Sequence, residues 1–208
     1  MPTAREALLD AAHTALADRP WPVVRMVDVA AAAGLSRQTL YNEFGSKDGL
    51  ARALVRRAAD SYLAGVERAL GSAGGTGDRL AATAAWTVRA TRANALVRGL
   101  LTDCWSERLP HPGALVPAGR RASAVPAQRR ADAGAPSPAE LLGQVRDRAV
   151  AALDEGRPPH DRAALAATCE LVLRLALSYA LVPSPADGVG DGVPLVRAVM
   201  DRLPDMAA

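Results

Sequence analysis

The stretch Val27-Asp28-Val29-Ala30-Ala31-Ala32-Ala33-Gly34-Leu35-Ser36-Arg37-Gln38-Thr39-Leu40-Tyr41-Asn42-Glu43-Phe44-Gly45-Ser46-Lys47 reads as a short helix, a tight turn and a second short helix. A third helix starts at Ser46. Gly34 can take the positive φ that a sharp turn between helices needs. Ala30, four residues earlier, puts a small side chain where the second helix must cross. At about 100° per residue, Leu40 and Phe44 share one face of that second helix, with Leu35 just before it. Gln38 and Asn42 lie opposite them, one turn apart, flanked by Arg37 and Tyr41. Side-chain amides suit base edges because each carries a donor and an acceptor. Ser36 and Arg37 sit at the helix start, where free N–H groups and the dipole favour a phosphate. One face for a protein core and one for a DNA groove is the pattern of a helix-turn-helix. A helical hairpin with a merely solvated outer face is the plain alternative.

These residues resemble a known family. Residues 5–62 are similar to the DNA-binding domain of TetR-type transcriptional regulators. The likeness runs through Val29-Ala30, Ala33-Gly34-Leu35-Ser36, Thr39-Leu40-Tyr41, Phe44 and Ser46-Lys47-Asp48-Gly49-Leu50. The resemblance implies an all-α homodimer with an N-terminal three-helix bundle, followed by a larger helical domain for ligand binding and dimerisation. It implies phosphate contacts by Tyr41 and Lys47, with Arg37, Gln38, Thr39 and Asn42 facing the major groove. Two positions depart from the family pattern. Arg25 stands where Thr usually caps the second helix; it can reach a phosphate strongly but caps nothing. Glu43 stands where His is frequent, and a carboxylate near DNA repels unless it meets cytosine or a neighbouring Arg.

The rest of the chain fits an all-α reading. Its 208 residues are half apolar but only 3% aromatic, so Ala and Leu, both good helix formers, must build the core. The net charge of +3 is compatible with DNA without demanding it. Arg52, Arg56 and Arg57 read as a solvated helix face. Helices are expected over about Thr3–Asp18, Ser46–Leu70, Asp78–Val97, Asn94 or Leu96 to Trp105, Ser137–Glu155, Asp161–Leu181 and Val193–Leu203. Pro20-Trp21-Pro22 stops the first, and Trp21 is expected in the small domain's core. Ser137 before Pro138 suits a helix cap and first turn. Residues 107–137, with five prolines, read either as a mobile loop with short helical pieces or as a pocket lid. The expected division is 1–46 for the DNA-binding domain and 47–208 for the helical ligand and dimer domain.

The helix after Asp78 is apolar on more than one side and should be buried among neighbours. The resemblance makes it a wall of a ligand cavity, with Tyr62, Trp86, Thr87, Arg89, Leu101 and Trp105 as candidate lining. Arg89 and Arg92 could grip an anionic ligand, pair with Asp103 or face solvent. Late helices form the dimer interface in the resembling family. Leu171, Leu175, Tyr179, Val182, Val196, Val199, Met200 and Leu203 are the matching candidates.

Other chemistries are disfavoured. His13, His111 and His160 have no His or Cys partner at ligand spacing, so no metal is expected. Gly74-Gly75-Thr76-Gly77 lacks the lysine of a phosphate loop. Cys104 has no activating context and reads as a small buried residue beside Trp105. No catalytic residue and no cofactor is expected. Sparse cysteine and the absence of an apolar leader suggest a cytoplasmic protein. The apolar run Leu171–Val182, broken by Arg174, looks too short to span a bilayer.

The expected function is a sequence-specific regulator binding double-stranded DNA at a near-palindromic operator, and a repressor released by a small hydrophobic ligand. One alternative is the same fold without small-molecule control, answering to a partner or to its own concentration. Another is a ligand-binding helical protein, carrier or enzyme, with a vestigial helix-turn-helix.

Overall fold

The computed structural model describes residues 3–110, 135–154, 158–182 and 193–200. These are helical, with no strand among them. The helices are α1 (Ala4–Asp18), α2 (Met26–Ala32), α3 (Arg37–Phe44), α4 (Lys47–Leu70), α5 (Thr76–Ala93), α6 (Ala95–Thr102), α7 (Pro138–Leu153), α8 (Pro159–Leu181) and α9 (Val193–Met200). The chain divides into two compact units, residues 1–59 with 104–136, and residues 60–103 with 137–208.

The first unit is a small bundle built on α1 to α3 and the first half of α4. Thr3 opens α1 with a capping box: its hydroxyl accepts from the Glu6 N–H at 3.2 Å, and Glu6 accepts from the Thr3 N–H at 2.7 Å. Leu8, Leu9 and Ala12 then face inward. Trp21, in a 3-10 turn over Trp21–Val23, is buried as expected and donates its backbone N–H to Arg108 at 2.7 Å. α2 ends in a Schellman motif. Leu35 N–H donates to Ala30 at 2.9 Å and Gly34 N–H to Ala31 at 3.0 Å, with Gly34 at φ 66. Leu40 and Phe44 of α3 join the core with Val29, Ala30, Leu50 and Leu54.

Arg57 is not the solvated residue its spacing suggested. Its guanidinium folds onto α1, pairing with Asp10 and donating to the Leu9 carbonyl at 2.9 Å. The long, flexible stem lets the head reach across to the neighbouring helix. Cys104 also departs from expectation, because it is exposed. α6 stops at Thr102, and Asp103 takes a left-handed φ of 57, which carries the next residue off the helix's buried face.

In the second unit α5 is central, packed against α6, α8 and α9, with α7 on α6 and α8. It buries residues on several sides, as its sequence suggested. Thr83, Thr87 and Thr91 form a buried row, each hydroxyl donating to the carbonyl four residues back at 2.7–2.9 Å. That local bond lets a hydroxyl sit in an apolar core. The break after α5 falls at Asn94, whose side-chain oxygen accepts from Leu96 and Val97 N–H and so starts α6. Ser137 caps α7 with a second capping box to Glu140.

α8 corrects the estimate of its length. Over His160–Leu181 it is long and apolar enough to cross a membrane by length and composition, because its Ala-rich first half extends the apolar run. Leu165, Cys169, Val172, Leu173, Ala176 and Leu177 are nonetheless buried within the unit, as expected of a core helix. Of residues 107–137, positions 111–134 lie outside the described residues.

Candidate nucleic-acid interface

α3 is held by its caps and its core face. Ser36 accepts from the Thr39 N–H at 3.0 Å, and the two hydroxyls are 2.9 Å apart. This cap stabilises a helix of only eight residues, too short to persist alone. Arg37, Gln38, Tyr41 and Asn42 are exposed, and Thr39 is half-buried. The Gln38 amide donates to the Asn42 side-chain carbonyl at 2.9 Å. Leu40 and Phe44 are buried on the other side. The sequence-predicted reading residues therefore share one open surface on a helix anchored from behind.

The flanking charges are committed in specific ways. Lys47 donates to the Pro22 carbonyl at 2.9 Å, and its ammonium lies 5.4 Å from the Trp21 ring centroid. Partial burial holds its pKa below the ordinary lysine value. Arg25 starts α2 without capping it, as expected. It makes two 3.1 Å bonds to Asp28, which raise its pKa and hold Asp28 below the ordinary value. Glu43 meets the neighbouring-Arg condition, with its carboxylate 3.6 Å from Arg5. Sequence periodicity gave no sign of that partner, since the two residues are 38 positions apart.

The candidate ligand residues divide. Tyr62, Thr87 and Leu101 are buried in the second unit. The Tyr62 hydroxyl is 3.0 Å from that of Thr87. Because the Thr87 proton already goes to Thr83, the phenol donates, and burial pushes its pKa up so that it stays protonated. Trp86 is half-buried and donates its indole N–H to the Tyr62 carbonyl at 3.0 Å. Arg89 is exposed, and Trp105 belongs to the first unit. Arg92 lies over the Tyr179 ring at 5.2 Å and donates to its carbonyl. Cys169 is buried, its thiol pushed up to about 11, which leaves it unreactive at neutral pH. Among the described residues no cluster of His, Cys, Asp or Glu could hold a metal.

The candidate dimer residues divide too. Leu171 and Val182 are exposed and Leu175 is half-buried, whereas Tyr179 and Val196 are buried within their own unit. The side chains of Val199 and Met200, and all of Leu203, lie outside the described residues.

Residues 8–54, which carry this surface, match the sequence model of the family described as bacterial regulatory proteins, tetR family. This segment is similar to the DNA-binding domain of that family. It is 47% identical over 66 residues to the HTH-type transcriptional regulator AlkX of Mycobacterium tuberculosis. It is 43% identical over 65 residues to the HTH-type transcriptional repressor LfrR of Mycolicibacterium smegmatis. These matches cover 32% and 31% of this chain, and only 31% and 33% of the two relatives' own lengths. Both are named as regulators of transcription. Similarity of fold to solved structures extends over nearly the whole chain. A TetR/AcrR-family regulator from Thermobifida fusca superposes with a TM-score of 0.54 at 16% identity, covering 94% of this chain and 95% of that one. PfmR from Thermus thermophilus superposes with a TM-score of 0.52 at 20% identity, covering 93% and 94%.

Proposed function

We propose that the protein is a sequence-specific transcriptional regulator that binds a near-palindromic operator in cytoplasmic double-stranded DNA as a homodimer. The single observation that carries this reading is the exposed Gln38–Asn42 pair on a helix whose opposite face is locked into the core. Such a helix can lay amides along base edges in the major groove. Arg37 and Thr39 join that pair toward the groove, and Ser36, Arg37, Tyr41, Lys47 and Arg25 supply groups that hold phosphates. In this reading residues 1–46, with Lys47 at the start of α4, form the DNA-binding domain, and the rest of 47–208 binds ligand and partner.

The regulator acts as a repressor, and a small hydrophobic ligand in the second domain releases it. Such a ligand must bind the non-DNA-binding conformation better, and by linkage DNA then weakens ligand binding. Tyr62 and the Thr83, Thr87 and Thr91 row supply the buried polar groups of an Ala- and Leu-rich interior. That composition suits an apolar ligand oriented by few hydrogen bonds. Leu171 and Leu181 on α8 and Val182 just after it expose 41%, 48% and 74% of their surface, and a symmetry mate would cover them.

Selection of bound duplexes from a random-sequence pool with the purified full-length protein tests the reading. The expected product is one enriched site with two inverted half-sites. Recovery of unrelated sequences after repeated rounds would refute it.

A further inference from the structure

Arg5, near the start of α1, makes three contacts with the end of α3. Its Nη1 donates to the Glu43 backbone carbonyl at 3.1 Å. The same nitrogen stands 3.6 Å from the Glu43 carboxylate. The guanidinium carbon lies 4.6 Å from the centre of the Phe44 ring. The Glu43 carbonyl belongs to the last turn of α3, where carbonyls have no partner inside the helix. A cation there satisfies the acceptor and complements the negative end of the dipole. Phe44, the ring beneath, is the residue that anchors this end of α3 in the core.

The contact also changes what DNA would meet. Glu43 follows Asn42 directly and its side chain is about one-third exposed, at 36%. A free carboxylate there would face the phosphate backbone with the wrong sign. Paired with Arg5, it presents a compensated charge.

We propose that Arg5 is a positioning residue for base readout. It fixes the C-terminal end of α3 at one depth and pairs off the Glu43 charge, so that Gln38 and Asn42 meet the bases in one register. Arg5 acts through α3 and touches no base itself. This rests on the reading that α3 enters a DNA groove.

The test is a double-variant cycle in the full-length protein. Arg5→Met keeps an apolar stem over Phe44 while removing the charge and the donors. Glu43→Gln removes the carboxylate and leaves the carbonyl. Each variant and the pair are titrated with the best selected duplex and a scrambled duplex at several salt concentrations. Thermal unfolding confirms that each is folded.

Arg5→Met should lower the ratio of selected to scrambled affinity about tenfold, with the salt slope unchanged. Adding Glu43→Gln should recover part of that loss. Arg5→Lys, which keeps the charge but not the fork, should fall between, and it serves in place of Arg5→Met should that variant not fold. Equal loss on both duplexes with a slope lower by about one would make Arg5 a phosphate contact and overturn the proposal. So would a lower melting temperature with an unchanged ratio. A wild-type protein that does not discriminate the two duplexes would overturn the DNA reading itself, leaving nothing for Arg5 to position.

Discussion

The Gln38 side-chain amide donates to the Asn42 side-chain carbonyl across one turn of α3, at 2.9 Å. The bond leaves the Gln38 carbonyl available as an acceptor and the Asn42 amino group as a donor. That pair matches the donor–acceptor edge of an adenine in the major groove. Replacing either residue with Ala should cost about 1–3 kcal/mol at one base pair and relax the choice there. The two losses should not add, because each removes the other's orienting partner. Competition binding with single-base operator variants measures this. Equal losses on operator and random DNA would refute a reading role.

Lys47 is poised rather than free. The Pro22 carbonyl and Trp21 ring hold its ammonium at the start of α4. Lys47→Ala should weaken binding to every sequence by a similar factor and reduce the salt slope by about one. The log–log plot of affinity against salt checks it. An unchanged slope would mean that the ammonium serves only the Trp21 contact.

Gly49 explains a residue that sequence reading left without a role. A Cβ there would stand 1.9 Å from the Phe44 carbonyl oxygen. That oxygen is fixed by the Ser46 N–H at 2.8 Å, so the crowding falls on backbone that cannot swing aside. Gly49→Ala should destabilise the first unit by about 1–3 kcal/mol. Urea unfolding measures it; a midpoint equal to wild type would show that α3 and α4 can part without cost.

Two capping boxes make stability depend on acid. Glu6 and Glu140 are both held below the ordinary carboxylate value, chiefly by the backbone N–H groups of Thr3 and Ser137. Groups lowered in the folded state add stability above their unfolded pKa and lose it as pH falls through the folded one. The melting temperature should therefore stay level from neutrality to about pH 5 and drop below it. Glu140→Gln should lower the neutral value and make the acid fall shallower. A variant curve parallel to wild type at every pH would contradict this.

The α8 surface predicts assembly. Leu171 is exposed in the single chain, so Leu171→Arg should leave the fold intact while placing an unpaired charge in a dimer seam. Sedimentation should then find a monomer that binds its operator far more weakly. A variant that stays dimeric would place the interface elsewhere.

What could be read before the structure was local. Ser137 as a cap, Gly34 as the turn, and Leu40 with Phe44 as the anchored face all act within four residues of themselves. What escaped depends on distant partners. Arg57 pairs across 47 positions with Asp10, and Arg5 across 38 with Glu43, and no periodicity encodes such pairs. Cys104 was misplaced because one left-handed residue, Asp103, turns the chain off the buried face. Tyr179 carries the same apolar signal as Leu171, but α5 and Arg92 cover it.

The central claim is that α3 discriminates DNA sequence. The most direct measurement is the ratio of affinities for the best selected duplex and for the same bases scrambled, at about 150 mM salt, with the full-length protein. Specific regulators reach ratios of about 10³ or more. The account predicts a ratio in that range that collapses toward one when Gln38 and Asn42 are both Ala. A wild-type ratio near one, or a high ratio that survives the double substitution, would contradict it.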